Sequence, residues 1–495
     1  MGRAGLRRRA VGCAGSGAGT ASRDADRRHR RAHLEDPPPR AAAGPRRRRG
    51  GHARVGPGAA RPVREPAVSR LLLTLWDGGG NSPPVLGVAA ALARRGHDVR
   101  VLADRSLGAA VDASGALHVP WRAAPQRASS DPRTEFVRDF EPRTPLGASA
   151  RLRDRLIVGA APAFAADTLA EIRREPVDAV ISEVLLIGSQ IAAVASGAPN
   201  VTLVPNVYPG EVPGVPPFGL GLQPRSDRLG RARDRLASAL GRRLWDKRLD
   251  DMNRLLAEYG QPPAPSLFEM LERPDRVLVL TSAAFEFGGG RRTPANVRYC
   301  GPRLDDPAWA GGWDEPEGGA PLVLVSLSTT TQGQDGMIRR IVRALGRIEA
   351  RGLVTTGPSF DAEGVERPAN VTIVPSAPHS AVLPHADAVV THAGHGTVIK
   401  ALARGVPLLC LPVGRDQPDP AARVVAAGAG LRLRPGASAR AIAGALGAIL
   451  ADPGFRVAAE RLAVAIAADG ERDRAVEEIE AVAAGAGTAQ PAGAG

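Results

Sequence analysis

The chain of 495 residues is poor in lysine and cysteine, and it contains no long apolar run. Lys247 and Lys400 are the only lysines among 65 basic residues, and Ala, Gly and Pro are abundant, a composition typical of a GC-rich bacterial genome. The cysteines, at positions 13, 300 and 410, lack the spacing of disulfide or metal sites, which favours a reducing cytoplasm. No stretch reaches the roughly 18 apolar residues of a membrane helix. We therefore predict a soluble cytoplasmic protein without a metal or stable membrane insertion.

The net charge of +14 is concentrated at the start of the chain. Residues 1–67 hold 17 Arg and 5 Asp or Glu, so the rest carries only +2. A folded basic face is therefore not expected, and we predict no nucleic-acid partner. Runs such as "GPRRRRGG" lack apolar periodicity and predict disorder over residues 1–67. This segment is either a basic tail for a membrane or nucleic acid, a solvated arm, or the product of a start codon placed too early, with the true start near Val68.

Short apolar strands alternate with helical segments from Ser69 onward, which predicts βαβ units and parallel sheets. The series "RLLLTLW", "DVRVLAD", "VDAVIS" and "NVTLVP" predicts a first domain over residues 68–306. After a linker at 307–320, "PLVLVSLS", "NVTIVPS", "DAVVTHA" and "VPLLCLP" predict a second domain, with terminal helices, over residues 321–484. Residues 485–495 read as a flexible tail. Two such domains facing each other form a cleft.

Two segments of the first domain interrupt this alternation. Residues 207–227 are rich in Pro and Gly and predict a long surface loop of the kind that often acts as a lid or binding element. Residues 228–259 follow as a helical segment whose leucines are spaced for one apolar face. A third feature, "DGGGNSPP" from Asp77 to Pro84, lies between a strand and a helix, where glycine-rich loops often hold phosphate.

A stronger phosphate signal lies in "THAGHGT", which follows the strand "AVVTH". A glycine-containing turn at a strand end directs backbone N–H groups and a helix N-terminus toward its ligand. His392 adds a donor with one removable charge. With the helix expected from about Val398, Thr397 either caps it or donates its hydroxyl to the phosphate.

The segment "THAGHGTVIKALARGVPLLCLPVGRDQ" resembles the nucleotide-sugar signature of family 1 glycosyltransferases, which include the macrolide enzymes. The similarity extends to "NVTIVPSAPHSAVLPHAD" and "PPVLGVAAALARRGHDV", and covers roughly residues 69–470. It implies an α/β GT-B fold, in which two Rossmann-like parallel-sheet domains face each other across a cleft. It also implies that the C-terminal domain binds the donor and the N-terminal domain the acceptor.

The resemblance assigns donor contacts to the second domain. The diphosphate positions correspond to His392, Gly394, Gly396 and Thr397, with His395 in the same turn and Thr329 as a further phosphate-side hydroxyl. Asp416 and Gln417 correspond to the pair that binds sugar hydroxyls. Where relatives have "WAPQ" around the base, this chain has Ser376, Ala377, Pro378 and His379. Lys400 stands where many have a ribose-binding Glu, so either the ribose is bound differently or Lys400 neutralises phosphate.

The same resemblance leaves the catalytic base open. Many relatives use a His after the first strand, oriented by an Asp after a later one; here Asn81 and Glu183 stand near those positions. An Asn side chain is not basic. Either Glu183 deprotonates the acceptor, with its pKa raised if buried, or Asp77 reaches the acceptor, or the acceptor is itself acidic. Asn81 can also cap the helix that follows it.

The resemblance therefore implies an inverting glycosyltransferase that moves a hexose or deoxyhexose from a UDP- or dTDP-sugar to a hydrophobic small-molecule acceptor, as in natural-product or antibiotic biosynthesis. The nucleotide sugar is a co-substrate, and no other cofactor is expected. The missing His also admits a non-catalytic nucleotide-sugar-binding partner of such an enzyme. A sugar-nucleotide epimerase shares the fold, but the order "HAGHGT" then "DQ" argues against it.

Overall fold

The computed structural model describes residues 68–129, 134–142, 144–306, 310–327, 334–357 and 364–486. The described strands of the first part form a seven-stranded sheet in the order β3-β2-β1-β4-β5-β6-β7, with every pair parallel. The strands are β1 (Arg70–Leu75), β2 (Asp98–Ala103), β3 (Leu117–Pro120), β4 (Ala179–Glu183), β5 (Asn200–Val204), β6 (Arg276–Val279) and β7 (Val297–Tyr299).

The second part repeats this plan. Six described strands pair in parallel in the order β10-β9-β8-β11-β12-β13, which has the same crossover pattern as the first six strands. They are β8 (Leu322–Ser326), β9 (Arg351–Thr355), β10 (Val371–Val374), β11 (Ala388–Thr391), β12 (Leu408–Cys410) and β13 (Gly430–Arg432). The prediction of two parallel-sheet α/β domains is confirmed.

Helices cover both faces of each sheet, which is why the central strands read as continuous apolar runs. In β1, Leu71 and Leu73 belong to one core and Leu72 to the core on the opposite face. The first part contains α1 (Ser82–Arg94), α2 (Gly108–Ala113), α3 (Pro145–Leu152), α4 (Ala161–Arg174), α5 (Ile187–Ser196), α6 (Arg228–Trp245) and α7 (Leu249–Glu258). The second contains α8 (Asp335–Leu345), α9 (His379–Val382), α10 (His395–Ala403), α11 (Pro418–Ala426), α12 (Ala439–Ala451), α13 (Pro453–Asp469) and α14 (Arg474–Ala486).

The terminal helix α14 crosses back to the first sheet, although the sequence analysis groups it with the second domain. Val476 and Ile479 are fully buried in the core that contains the odd-numbered leucines of β1. The side chain of Glu480 is hydrogen-bonded to Arg95 and His97 at the end of α1. The chain therefore closes on the domain in which it began.

The helical segment after the Pro-rich loop is divided, and its leucines do not share one buried face. The helix α6 ends at Trp245 and α7 begins at Leu249. Met252 and Leu255 of α7 are buried, whereas Leu229, Leu236 and Leu240 of α6 are exposed. The leucine spacing is thus correct for a helix but does not tell which face the core covers.

Among the described helices, none alone has the length and apolar composition needed to cross a membrane. One pair, 439–451 and 453–485, meets these criteria only when taken together, and it is bent by 71°.

The close packing of α5 on α4 depends on Gly188. A Cβ at this position would lie 2.1 Å from the carbonyl oxygen of Ala161. We predict that Gly188→Ala lowers the free energy of unfolding by about 1–3 kcal/mol, as overpacked cores do. The control is Gly444→Ala in α12, where a Cβ meets nothing within 4 Å. This control should be stabilised by up to about 1 kcal/mol because alanine favours helix. Urea unfolding measures both; equal effects would contradict the packing.

Candidate active site

One cavity of about 2300 Å³ lies at the carboxyl ends of both sheets. Its walls include residues that directly follow β1, β4 and β5 of the first sheet and β8, β10 and β11 of the second, together with the loop from Val413 after β12. Every sequence-predicted site residue that the structure describes lines it: Asp77, Asn81, Glu183, Ser376, His379, His392, Gly394, His395, Gly396, Thr397, Lys400, Asp416 and Gln417. Thr329 lies outside the described residues.

The turn after β11 is tight and strained. Ala393, and not a glycine, takes a positive φ of 69°. Gly394 is needed for space, since a Cβ there would lie 2.5 Å from Nε2 of His392. Helix α10 begins at His395 with Gly394 as its N-cap, three residues before the expected start. Thr397 is therefore inside the first turn and does not cap the helix, and the first N–H groups of α10 have no partner within the helix.

The histidines of this region are neutral at pH 7. Burial and the nearby Arg415 lower the pKa of His392 to about 4. Burial and Lys400 lower the pKa of His379 to about 4, and burial and Arg423 lower that of His395 to about 3. The positive charge that the sequence suggested for His392 is thus absent at neutral pH, and the ring acts as a hydrogen-bonding group.

The three histidines differ in the hydrogen bonds that their ring nitrogens make. The Nδ1 atom of His392 is buried and has no hydrogen-bond partner in the described part of the chain. His379 Nε2 lies 3.0 Å from Ser326 Oγ at the end of β8. His395 Nε2 lies 2.9 Å from Thr281 Oγ1, just past β6 of the first sheet. His395 therefore joins the two sheets, while His392 keeps an unused ring nitrogen.

Lys400 points to residues 305 and 306 in the segment that connects β7 to β8. Its ammonium donates to Asp306 Oδ1 at 2.8 Å and to the carbonyl oxygen of Asp305 at 2.7 Å. Asp306 also accepts a hydrogen bond from the backbone N–H of Ser380 at 2.8 Å. The charge of Lys400 is therefore already paired, and Asp306 contributes a carboxylate to the cavity wall.

The loop after β12 carries Asp416 and Gln417, and its side chains are fixed. Asn206, just past β5, donates to Asp416 Oδ2 at 2.6 Å. Burial raises the pKa of Asp416. Gln417 Oε1 accepts from the backbone N–H groups of Val413 and Gly414 at 2.8 and 3.1 Å. The amide of Gln417 thus stabilises its own loop, and Asp416 is held from the opposite sheet.

Asp77 is engaged in holding the glycine-rich loop. It accepts hydrogen bonds from Ser106 Oγ at 2.7 Å and from the N–H of Gly79 at 3.2 Å. Arg127 forms an ion pair with the same carboxylate at 3.3 Å. These partners must be broken before Asp77 can take a proton from an acceptor.

Asn81 stands at the N-cap of α1, but its side chain makes no capping hydrogen bond. Its Nδ2 instead donates to the carbonyl oxygen of Trp76 at 3.1 Å. The capping interpretation of Asn81 is therefore wrong. Gly78 packs against the same side chain, because a Cβ there would lie 2.8 Å from Asn81 Oδ1.

Glu183 ends β4 beside β1 and is 2 % exposed. Burial raises its pKa to about 8, although the backbone N–H of Leu185 opposes the shift by donating to Oε2 at 2.9 Å. The carboxyl is therefore mostly protonated at pH 7 and loses its proton near pH 8. This is the behaviour expected of a base that works above neutral pH.

Several residues that line the cavity were not predicted as site residues from the sequence. Asn206 and Ser326 each stand at or just beyond the end of a predicted strand, so the signal was a polar residue at a strand end. Asp306 and Arg415 offered a weaker signal. Their partners Lys400 and Asp139 are far away in the sequence, and only the fold brings them together.

The Pro-rich loop lines the cavity and is anchored on the second part. Phe218 packs against the core around β11 and β12. The N–H of Gly219 donates to Asp419 Oδ2 at 2.7 Å, and Arg432 donates to the carbonyl oxygen of Gly221 at 2.9 Å. Residues 209–220 line the cavity. Among the described residues, no cluster of His, Cys, Asp and Glu has the arrangement of a metal site.

A family model, a curated relative and two solved structures all relate the chain to natural-product biosynthesis proteins and glycosyltransferases. Residues 339–482 match the family model "Erythromycin biosynthesis protein CIII-like, C-terminal domain". The chain is 32% identical over 426 residues to 4'-demethylrebeccamycin synthase of Lentzea aerocolonigenes, covering 84% of this chain and 99% of that protein. The glycotransferase of kitacinnamycin has a TM-score of 0.67 at 24% identity, covering 84% of this chain and 99% of its own. VinC, a glycosyltransferase solved with dTDP, has a TM-score of 0.57 at 25% identity, covering 84% and 99%.

The raised pKa of Glu183 predicts a pH-dependent stability. The folded carboxyl binds its proton more tightly than the unfolded one, so this contribution to stability is complete below pH 4.5 and lost as the pH rises through about 8. Glu183→Gln cannot lose a proton. We predict that its melting temperature relative to wild type is higher at pH 9 than at pH 5, with about 1.4 kcal/mol for each pKa unit. Glu258→Gln, at an exposed position, is the control. If the melting temperature of Glu183→Gln differed from that of wild type by the same amount at both pH values, the raised pKa of Glu183 would be refuted.

Proposed function

Because the chain belongs to the GT-B glycosyltransferases of natural-product type, we propose that it is an inverting enzyme that transfers a hexose or deoxyhexose from a UDP- or dTDP-sugar to a hydrophobic acceptor. The single observation that carries this proposal is the shared cavity. The first turn of α10, the Asp416 loop and Glu183 all open into it. In the transfer, an acceptor oxygen bonds to the anomeric carbon, the nucleoside diphosphate leaves, and the proton of the acceptor passes to a base.

The strand order supports a linear donor site. The strand β11, with α10 behind it, lies between β8 and β12, so the turn from His392 to Gly394 occupies the middle of the sheet edge. Asp416 follows β12 on one side, and His379 follows β10 on the other. We infer that the diphosphate sits at the N-terminus of α10, the sugar lies toward Asp416 and the nucleoside lies toward His379.

The diphosphate is bound mainly by neutral donors. At neutral pH the site histidines carry no charge, since their pKa values lie at about 4 or below. Backbone N–H groups at a helix N-terminus suit an anion. His392 lines the cavity with its Nε2 next to Gly394, the N-cap of α10, so Nε2 is placed to bond a phosphate oxygen at this helix end.

The residues at the nucleoside end of the cavity are compatible with either UDP or dTDP. Ser376 and His379 line this end of the cavity, and the neutral imidazole offers a flat face in place of the larger Trp of many relatives. The carboxylate of Asp306 is a hydrogen-bond acceptor that suits sugar hydroxyls. The structural relative VinC was solved with dTDP, which favours a thymidine donor.

The acceptor side is largely apolar, with charged side chains on α6 such as Arg235 and Arg242. Within the described residues, its aliphatic, proline and aromatic side chains include Leu146, Leu152, Ile157, Val184, Leu185, Ile187, Pro209, Val212, Pro213, Val215, Phe218, Leu244, Trp245, Leu267, Phe268 and Leu271. Pockets of this composition bind hydrophobic ligands by shape and orient them with few polar groups. A polyketide or terpenoid aglycone fits this chemistry.

Glu183 is the base that we favour. It is buried beside the glycine-rich loop and has a raised pKa. Asp77 is less suited, because Ser106 and Arg127 hold its carboxylate. An acidic acceptor, such as a phenol, remains the third alternative and would need no base.

A non-catalytic nucleotide-sugar-binding partner is the competing function, because Asn81 stands where many relatives have a His. The direct test incubates the full chain with UDP- and dTDP-sugars and with phenolic and macrolactone acceptors. Release of nucleoside diphosphate that depends on the acceptor supports transfer. Binding of the donor without any release supports the partner function.

The turn after β11 provides a variant that tests the placement of the diphosphate. We predict that Gly394→Ala weakens nucleoside diphosphate binding by about tenfold or more, because its Cβ would displace His392. Gly444→Ala in α12 is the control, since a Cβ there meets nothing within 4 Å and Gly444 does not line the cavity. Isothermal titration calorimetry measures both. Equal affinities for the two variants would contradict the placement of the diphosphate.

The pH profile tests Glu183. We predict that kcat/KM rises with pH and levels off above about pH 8, because the base must lose its proton. Glu183→Gln should abolish this rise and lower kcat by about 10²–10⁴-fold. Unchanged turnover in this variant would eliminate Glu183 as the base and leave the acidic-acceptor alternative.

A further inference from the structure

Arg415 reaches across the cavity from the loop that carries Asp416 and Gln417. Its Nε and Nη2 atoms each lie 2.6 Å from a carboxylate oxygen of Asp139, and Nη2 lies 3.3 Å from Glu135 Oε1. Asp139 and Glu135 belong to the segment between β3 and α3 of the first part. The three side chains are 19, 4 and 5 % exposed, so this ion pair is largely shielded from water.

The backbone on both sides of this ion pair is strained. Arg415 has a φ of 54° and Arg138, next to Asp139, has a φ of 48°. With Ala393, these are the non-glycine residues of positive φ in the described ranges. Such conformations are disfavoured for residues with a Cβ and persist where surrounding contacts enforce them. The loop is therefore held in a shape that it does not favour by itself.

A second contact holds the same loop from the same side. Asn206 donates to Asp416 Oδ2 at 2.6 Å, so consecutive residues of the loop are bound by the first part of the chain. The Nη1 atom of Arg415 also lies 3.5 Å from the carbonyl oxygen of Gly78, in the glycine-rich loop. The proposed sugar-binding loop is thus in contact with the acceptor side of the cavity.

We propose that Arg415 is a positioning residue for the donor sugar, and that its bidentate ion pair with Asp139 sets the loop of Asp416 and Gln417 from the opposite domain. This inference rests on the proposed function, since it takes Asp416 to face the sugar. The site for the sugar is then completed by both domains. The proposed nucleotide contacts do not involve Asp139, because Ser376, His379 and the first turn of α10 belong to the second domain and Asp306 lies between β7 and β8.

If the ion pair is weakened, the affinity for the nucleotide sugar should fall while the affinity for the free nucleotide stays the same. A general loss of stability would lower both affinities. Arginine forms two parallel hydrogen bonds to a carboxylate, and lysine cannot reproduce that geometry. Asp139→Asn is nearly isosteric but removes the charge of the acceptor. Arg415→Lys and Asp139→Asn should therefore both loosen the sugar-binding loop while leaving the nucleotide contacts intact.

The experiment uses the full-length chain and isothermal titration calorimetry. Wild type is first titrated with UDP, dTDP and a panel of their glucose and 6-deoxyhexose esters, and the tightest nucleotide sugar is chosen. For Arg415→Lys and Asp139→Asn we expect its affinity to fall by at least about tenfold. The affinity for the free nucleoside diphosphate should stay within about twofold, which is well below 1.4 kcal/mol.

The control is Glu478→Gln. Glu478 pairs with Arg276 at 3.1 Å and with Arg298 at 3.5 Å, and none of these three residues lines the cavity. This variant should bind both ligands like wild type. The inference would be overturned if Arg415→Lys and Asp139→Asn lowered the affinities for the nucleotide sugar and the free nucleotide equally. It would also be overturned if the affinity for the nucleotide sugar were unchanged. A wild type that binds no nucleotide would instead refute the proposed function itself.

Discussion

Parallel strand pairing is the constraint on which this site depends. In each sheet every described pair is parallel, so all carboxyl ends lie at one edge and the residues that follow them meet there. Asn81 and His392 are more than 300 positions apart in the sequence, yet both line the same cavity. The glycine-rich loop after β1 and the turn after β11 each join a strand to a helix, but their strands are not equivalent, because β1 matches β8 in the shared strand order and β11 matches β4. Only the second is followed by a helix whose N-terminus is flanked by a histidine with an unused ring nitrogen.

Burial sets the electrostatics of the cavity. It removes the charge from the histidines at pH 7 and raises the pKa of Glu183 and of Asp416. The cations nearest the proposed donor site are paired with carboxylates, as in Arg415 with Asp139 and Lys400 with Asp306. An anionic donor therefore meets backbone N–H groups and neutral rings, while the paired charges fix the loops around it.

The fold was predictable because strand and helix signals are local. The alternation of apolar segments gave both sheets, and "THAGHGT" gave the turn after β11 together with the family. The contacts between distant positions were not predictable in the same way. The pairing of Arg415 with Asp139 and the return of α14 to the first sheet leave no periodic trace in the sequence. The same holds for α6, whose leucine spacing specifies a helix but not the face that is buried.

A crystal structure of the full chain with a bound nucleoside diphosphate is the measurement that tests the account most directly. The account predicts that the phosphates lie against the first turn of α10, within hydrogen-bond distance of His392, with the β-phosphate directed toward Asp416 and the base toward His379. Phosphates bound instead at the glycine-rich loop from Gly78 to Gly80 would contradict it. The donor and acceptor sides of the cavity would then have to be exchanged.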